Sequence, residues 1–402
     1  MAQSTIEGFN APKCGTDDLR RAVDDKLRLK LDIVGTQTIS TDLHHVKQLF
    51  EELLPTNANA YTKAAFTIII LHRYAETFDV KLVSPGILGF LKSECFAMLG
   101  TIDYRRLYSD QILHERYNEI LIKYFCQPNE LDCLRLYESL VRCLDSEATS
   151  NELSFLQVFT TDRLFECQLH ERIHSLVLHY NIDCFENIIE RESLKKKLFS
   201  YFYQLAFSCA VSKAYTRAYE ITNVAMSLTL DSVDKFEFEQ LLSVSVFLTM
   251  MLNKDRFNLP VHLIKYRAKM NAQSYNVLRN YVTFDLLPFI LSFHLLVKES
   301  EMQHNKVLSM LYNHESLIKL TKELIDNKVQ AVIEKYDRHL IHEYIETINK
   351  SIEKLNGRLE KHGLQIPLYS PDFVKLKKKT GVRELVRDAS KLIDISRMED
   401  TI

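Results

Sequence analysis

Apolar residues recur three and four positions apart along most of the chain, which is the spacing of one face of an α-helix. The first such stripe ends before Pro55 and consists of Leu43, Val46, Leu49, Phe50 and Leu53. A more apolar helix is predicted over 61–78, and five more are predicted around 103–125, 130–144, 163–180, 193–211 and 214–229. This succession predicts a mostly α chain with a helical-repeat arm over residues 41–302, preceded by a flexible or weakly ordered N-terminus over 1–40.

One segment indicates how neighbouring helices pair. Leu205 and Ala206 lie on one predicted helix, a turn follows near Lys213, and Ala218 and Ala225 lie on the next helix. Small residues opposite aromatic ones allow two antiparallel helices to approach closely, as in tetratricopeptide-like arrays. A generic helical core explains the same residues, so the pattern alone leaves both interpretations open.

The pattern changes after residue 303. Two short helices are predicted, over 304–311 and 314–328, and then Val329, Ala331 and Ile333 alternate with polar residues in the manner of a β-strand. Two helices followed by a β-hairpin outline a winged helix over 303–343. Its exposed strand, the wing edge, is a candidate surface for pairing with a strand of another protein.

A different spacing follows the predicted wing. The residues of the heptad seam are three, four, three and four positions apart, and they are Ile345, Ile348, Ile352, Leu355 and Leu359. Such a narrow stripe is typical of helices that pack against other helices in a bundle. We therefore expect residues 344–402 to supply C-terminal helices for bundle assembly, the second of them over 382–393. The alternative is that this helix folds back on the core of its own domain.

Composition excludes several classes of protein. No glycine occurs between Gly100 and Gly357, so the glycine-rich loops that cradle nucleotide phosphates are excluded there. The formal net charge is -2, and of the two basic runs, at 375–379 and 194–198, acidic residues flank the second, so nucleic acid is not the expected ligand. The eight cysteines form no C-x-x-C pair and the start has no signal region, so we expect a protein of the cytoplasm and nucleus. The longest apolar runs are too short or too interrupted to predict a membrane span.

One short motif suggests an enzyme. His170, Glu171 and His174 match the H-E-x-x-H pattern, in which two histidines four apart on a helix bind Zn²⁺ and the glutamate activates water. The longer metzincin form requires Gly and His where this chain has Val177 and Tyr180. A glutamate as third ligand, as in thermolysin-like enzymes, could only be Glu186, Glu190 or Glu192, none of them distinctive.

The same residues also fit a structural role. The helical stripe that contains the motif includes Phe165, Leu169, Ile173, Leu176, Val177 and Tyr180. The two histidines are therefore expected at the flank of a buried helix face, and a zinc metalloprotease remains the remote alternative.

The segment after residue 303 resembles the PCI domain, a module shared by subunits of the proteasome lid, the signalosome and translation initiation factor three. The family's I-x-D-G-x-I-x-A-x-I run corresponds to residues 324–333, with Asn327 in place of the usual glycine. Three further stretches are similar to the family of signalosome subunit three: SKAYTRAYEITNVAMSL, FNLPVHLIKYRAKMNAQSYNVL, and IEKLNGRLEKHGLQIPLYSPDFVKL, which resembles a post-wing helix with a short extended tail. The likeness spans about residues 195–375.

The resemblance implies a non-catalytic scaffold subunit that binds no metal or cofactor of its own. Its expected partners are other PCI-domain subunits, by resemblance signalosome subunits one and eight, with the isopeptidase zinc in a different subunit. The implied complex removes the ubiquitin-like modifier Nedd8 from cullins. A scaffold subunit of another lid-like complex, either the proteasome lid or translation initiation factor three, is the alternative.

Overall fold

The computed structural model of this chain describes most residues of a helical protein. The described residues are 21, 23–26, 28–29, 42–54, 58–127, 129–145, 154–182, 192–228, 235–252, 259–283, 286–302, 306–333 and 338–369. They contain helices and connecting turns but no β-strand. No helix in these ranges is both long and apolar enough to cross a lipid bilayer.

The chain divides into two compact units, residues 1–204 and 205–402, with the division inside one helix. The helices that lie in the first unit are α1 (Leu43–Leu53), α2 (Ala60–Thr77), α3 (Pro85–Thr101), α4 (Tyr104–Ser109), α5 (Gln111–Tyr124), α6 (Glu130–Asp145), α7 (Phe155–Glu166), α8 (His170–Tyr180) and the start of α9 (Glu192–Val211). Helices close in sequence pack together, α2 with α3, α6 with α7, and α7 with α8. This arrangement confirms the predicted succession of helices.

Side chains placed just before the helices explain where they begin. Asp42, Asn59, Ser84, Asp110 and Ser154 each precede a helix of the first unit and accept a hydrogen bond from a backbone N–H of its first turn. Each such cap satisfies a donor that has no partner within the helix, and it stabilises the helix by about 1 kcal/mol. Asp110 also separates α4 from α5, so the single helix predicted around 103–125 is two helices.

The N-terminal segment is described only at a few positions. Those positions are helical, and Val23 is buried. Asp24 forms an ion pair with Arg73 of α2. At least this part of residues 1–40 packs against the first unit.

The second unit is built around one helix that is buried on nearly all sides. The helices of this unit after α9 are α10 (Tyr215–Ser227), α11 (Lys235–Met251), α12 (Val261–Lys265), α13 (Ala272–Thr283), α14 (Leu286–Met302), α15 (Lys306–Leu311), α16 (His314–Ile333) and α17 (Arg338–Leu359). The central helix is α11, which packs against α10, α12, α13 and α15. Ser243 of this helix has partners for both its carbonyl and its hydroxyl: the Tyr312 hydroxyl donates to the Ser243 carbonyl at 2.6 Å, and the Ser243 and Ser274 hydroxyls lie 2.8 Å apart.

The turn predicted near Lys213 is confirmed. Lys213 adopts a left-handed backbone with φ of 63° between α9 and α10. The N–H of Ala214 donates to the carbonyl of Cys209 at 2.9 Å, and the N–H of Lys213 donates to that of Ala210 at 3.0 Å. This pair of bonds is the Schellman motif that closes many helices. Beyond it Ala218 and Ala225 are fully buried, as the close approach of two helices requires.

Candidate functional site

The H-E-x-x-H residues lie at the start of α8. His170 is the first residue of the helix and is 6% exposed, His174 is half-buried, and Glu171 is exposed. The His170 ring makes an edge contact with Phe165, with centroids 5.3 Å apart. Burial lowers the pKa of His170 to about 4. The ring is therefore neutral at physiological pH, and it packs beside the apolar face formed by Ile173, Leu176 and Val177.

A zinc centre requires a third ligand near the two histidines. Glu186 and Glu190 lie outside the described residues, and the side chain of Glu192 is not described either. Val177, which stands where the metzincin pattern has glycine, is buried in the packing face. Among the side chains that the structure describes, no group of three His, Cys, Asp or Glu residues is placed to hold a metal ion.

The turn before α8 explains why a histidine can occupy this position. The helix predicted over 163–180 is interrupted at Gln168, which has φ of 60°. Leu169 donates to the carbonyl of Leu164 at 2.9 Å and Gln168 donates to that of Phe165 at 3.0 Å, which is the same motif as at Lys213. In both hairpins the next helix begins two residues after the residue with the left-handed backbone. That first helical residue is His170 after Gln168 and Tyr215 after Lys213.

Both residues contact an aromatic ring edge-on. Tyr215 meets Phe247 with centroids 6.0 Å apart, an arrangement similar to that of His170 and Phe165. The first helical position after this turn therefore serves ring packing in both hairpins. This role accounts for His170 without a metal.

The structure corrects the prediction of a wing edge. Val329, Ala331 and Ile333 belong to α16, which runs without a break through Asn327 to Ile333. Residues 334–337 lie outside the described residues, and 338–343 already belong to α17. The run VQAVI has four apolar residues among five, so it fits a helix as well as a strand. As a continuation of Leu324 and Ile325, it extends a helical stripe.

The heptad seam forms the predicted helix, but the chain covers the seam itself. Ile345 is 7% exposed, and Ile348, Ile352, Leu355 and Leu359 are fully buried. The side chains of the seam are therefore covered within this chain. In this arrangement the seam is not a free surface for partner helices, because its side chains already have neighbours.

Part of that cover is an extended segment after α17, residues 364–369, which we name the tail. Gly363, with φ of 66°, ends the helical region, and the chain then runs back along α17. Leu364, Ile366 and Tyr369 of the tail are buried. An extended tail after this helix is what the family resemblance implies.

Two asparagines fix the tail to α17. The Asn356 side chain donates to the carbonyl of Ile366 at 2.8 Å and accepts from its N–H at 2.8 Å. The Asn349 side chain does the same for Tyr369, at 3.1 and 2.7 Å. We call these four bonds the asparagine clamp. An extended backbone has no hydrogen bonds of its own, and the clamp supplies them as a neighbouring strand would.

The spacing of the clamp follows from elementary geometry. Asn349 and Asn356 are two helical turns apart, or about 10.5 Å along the axis. Ile366 and Tyr369 are three extended residues apart, or about 10 Å. Both asparagines are adjacent in sequence to seam residues, Ile348 and Leu355, on the same flank of the helix. The spacing of the two asparagines along α17 therefore matches the spacing of Ile366 and Tyr369 along the tail, which runs in the opposite direction.

The tail also contacts α16. Burial, and after it a hydrogen bond to the carboxylate of Asp326, raises the pKa of the Tyr369 hydroxyl. A cavity of about 130 Å³ lies between α16 and the tail, lined by Ile318, Lys322, Ile325, Ile366, Pro367, Leu368 and Tyr369. The tail therefore connects α16 with α17. The sequence signal for this arrangement is a pair of asparagines seven apart beside a heptad seam, followed by alternating Leu364 and Ile366 before Pro367.

The basic runs supply little further information on function. Residues 375–379 and the second predicted C-terminal helix over 382–393 lie outside the described residues. On α16, Glu315 pairs with Lys213 at 3.4 Å and Lys319 lies over the Tyr215 ring at 5.2 Å. These two charged side chains of α16 thus contact residues of the same unit.

Comparison with known proteins identifies no relative. No protein-family model, no curated protein and no solved structure matches the chain. The helical architecture and the surfaces described above are therefore the structural basis for a functional assignment.

Proposed function

We propose that this chain is a non-catalytic scaffold subunit of the signalosome, the complex that removes Nedd8 from cullins. The observation that carries the proposal is the order of its parts: helix hairpins closed by the same turn, then a long C-terminal helix with an extended tail. This order is the one implied by the resemblance over residues 195–375. Stacked helix hairpins offer extended surfaces to protein partners.

Within this proposal residues 303–343 correspond to the PCI winged helix. α15 and α16 would be its helices, and its contacts would be with subunits resembling signalosome subunits one and eight. Since 329–333 are helical, the proposed contact at Val329, Ala331 and Ile333 would use a helix end instead of a strand edge. The buried heptad seam would hold α17 against the rest of this chain. Partner contacts of α17 would use its exposed residues, among them Glu346, Lys350 and Lys354.

The test is purification of the tagged full chain from cells of its own source under native conditions. Mass spectrometry of the intact assembly should show signalosome subunits at equal copy number, and the eluate should cleave Nedd8 from a cullin substrate. A matched bait with Glu346→Lys, Lys350→Glu and Lys354→Glu should recover fewer partners, because it reverses charges on the exposed face of α17.

Three outcomes would contradict the proposal. Recovery of proteasome-lid subunits or of initiation-factor subunits would make the chain a scaffold of that complex instead. Recovery of a single chain with one equivalent of zinc, lost on changing His170 and His174 to alanine, would support the metalloprotease alternative. Recovery of the chain alone without metal would remove the scaffold role.

A further inference from the structure

A group of exposed cations and aliphatic side chains surrounds α12. Val261 and Ile264 lie on one face of this short helix and are 78% and 63% exposed. Lys265, on the same face, is followed by Arg267 and Lys269, and all three cations are exposed. We name these five residues the α12 patch. Two large aliphatic side chains therefore lie next to three cations on one exposed surface.

Each cation of the α12 patch lies over an aromatic ring. Arg267 is 4.5 Å from the centroid of Tyr275, and Lys265 is 4.9 Å from that of Tyr266. Lys269 is 5.4 Å from the Phe238 centroid and 5.5 Å from the Tyr266 centroid. Cation–π contacts of this kind hold the charged groups in place. None of the three cations forms an ion pair with a carboxylate that the structure describes, so their hydrogen-bond donors are available to a ligand.

The backbone that carries the patch is fixed to the second unit. Leu263 between the exposed aliphatic residues is buried, and His262 lies 2.6 Å from the Ser245 hydroxyl of α11. The Phe238 and Tyr266 rings meet edge-on at 5.1 Å. A surface held in this way loses little conformational entropy when a ligand binds.

We propose that the α12 patch binds a protein segment in which acidic residues alternate with apolar ones. Carboxylates would pair with Lys265, Arg267 and Lys269, and an apolar side chain would cover Val261 and Ile264. The planar guanidinium of Arg267, supported by Tyr275, suits a carboxylate that accepts two hydrogen bonds. This inference deepens the proposed scaffold role and rests on it, since it names the chemistry of one partner segment.

Other anionic partners suit the patch less well. A nucleic acid would use the three cations but would leave the two aliphatic side chains uncovered. A membrane surface gains about 1 kcal/mol per basic residue, and a helix as short as α12 inserts little apolar area. The combination of paired aliphatic residues and fixed cations therefore favours a peptide.

The test measures fluorescence anisotropy of the purified full chain with a labelled peptide in which pairs of Glu alternate with single Leu residues. We expect binding to this peptide and at least about tenfold weaker binding, a loss of about 1.4 kcal/mol, in a Lys265→Glu, Arg267→Glu, Lys269→Glu variant. Val261→Ser with Ile264→Ser should weaken it several-fold. A matched control that reverses three exposed lysines of the first unit, Lys47→Glu, Lys63→Glu and Lys81→Glu, should bind like the unchanged chain.

Comparator probes make each remaining outcome decisive. Equal affinity for a peptide with Ser in place of Leu would show that the aliphatic residues take no part, and would overturn the proposal. So would stronger binding to oligouridine RNA or to phosphatidylcholine vesicles containing phosphatidylserine, or no binding to the Glu–Leu peptide. Because the chain is tested alone, a negative result here is distinguishable from failure to co-purify with signalosome subunits.

Discussion

The hairpin formed by α7 and α8 and the hairpin formed by α17 and the tail reverse the chain with the same turn. In each, a residue with a left-handed backbone comes after the helix, Gln168 in the first unit and Gly363 in the second. The next N–H then donates to the carbonyl five residues earlier, at 2.9 Å in the first hairpin and 3.2 Å in the second. The turns are equivalent, so the difference between the hairpins arises from the segment after the turn.

The segment after the turn decides how each hairpin is stabilised. After Gln168 the chain forms α8, whose backbone groups bond to one another, whose Ile173 is buried, and which packs against α7. After Gly363 the chain is extended, so the backbone of Ile366 and Tyr369 depends on the asparagine clamp. The first hairpin is therefore held mainly by apolar packing, and the second also requires two specific amide side chains.

The largest effect is expected from removing the second hairpin. Deletion of residues 344–402 removes the heptad seam and the tail, and each large side chain uncovered in the second unit should cost about 1.5–3 kcal/mol. The fragment should aggregate or melt at a much lower temperature in calorimetry. A fragment lacking 344–402 with an unchanged melting temperature would show that the seam supports nothing in this chain.

In the first hairpin the corresponding change is Ile173→Ala. This truncation leaves a cavity beneath α8 and should lower the free energy of unfolding by about 2–5 kcal/mol in urea titrations. Leu178→Ala, on the same helix but at a side chain that is 64% exposed, should change it by less than about 0.5 kcal/mol. Equal losses for the two variants would disagree with the buried face assigned to α8.

Breaking the clamp is expected to have a moderate effect. Asn356→Ala removes two bonds and leaves the Ile366 N–H and carbonyl without partners, at a cost of about 1–3 kcal/mol. Asn349→Ala should act in the same way on Tyr369. An exposed asparagine of α13 provides the control, since Asn276→Ala should leave the urea midpoint nearly unchanged. If all three variants unfold at the same midpoint, the clamp contributes no stability.

A pH dependence of stability is expected to originate at His170. Burial lowers its pKa from 6.5 to about 4, so between these values the unfolded chain binds more protons than the folded one. The stability contributed by the neutral ring is therefore present above pH 6.5 and is lost as the pH falls toward 4. In a His170→Gln variant, the midpoint of urea unfolding should depend less steeply on pH between 4 and 6.5. His262, whose pKa burial also lowers to about 4, should preserve part of the slope, and an unchanged slope in the variant would contradict the assignment.

Much of the helical organisation is predictable from the sequence, because long periodic stripes such as 43–53 and 345–359 fit only one kind of element. The break at Gln168 is not predictable in this way, because neither glycine nor proline marks it. The run 329–333 is helical although its pattern predicts a strand. Four of its five residues are apolar, so the run fits the period of a helix as well as that of a strand. For the heptad seam, the spacing predicts the helix and its apolar face but cannot tell which segment covers it. The position of the covering tail depends on Asn349 and Asn356, which bond to residues of the tail 20 and 10 positions further along the chain.

Amide hydrogen exchange of the free full chain tests most directly whether the chain covers its own seam. The N–H groups of Ile366 and Tyr369, which donate to the asparagine side chains, should exchange far more slowly than in an unstructured peptide. The Asn349→Ala, Asn356→Ala double variant should lose this protection while α8 keeps its own. Rapid exchange at both positions in the unchanged chain would contradict the account, because the tail would then not be held on α17.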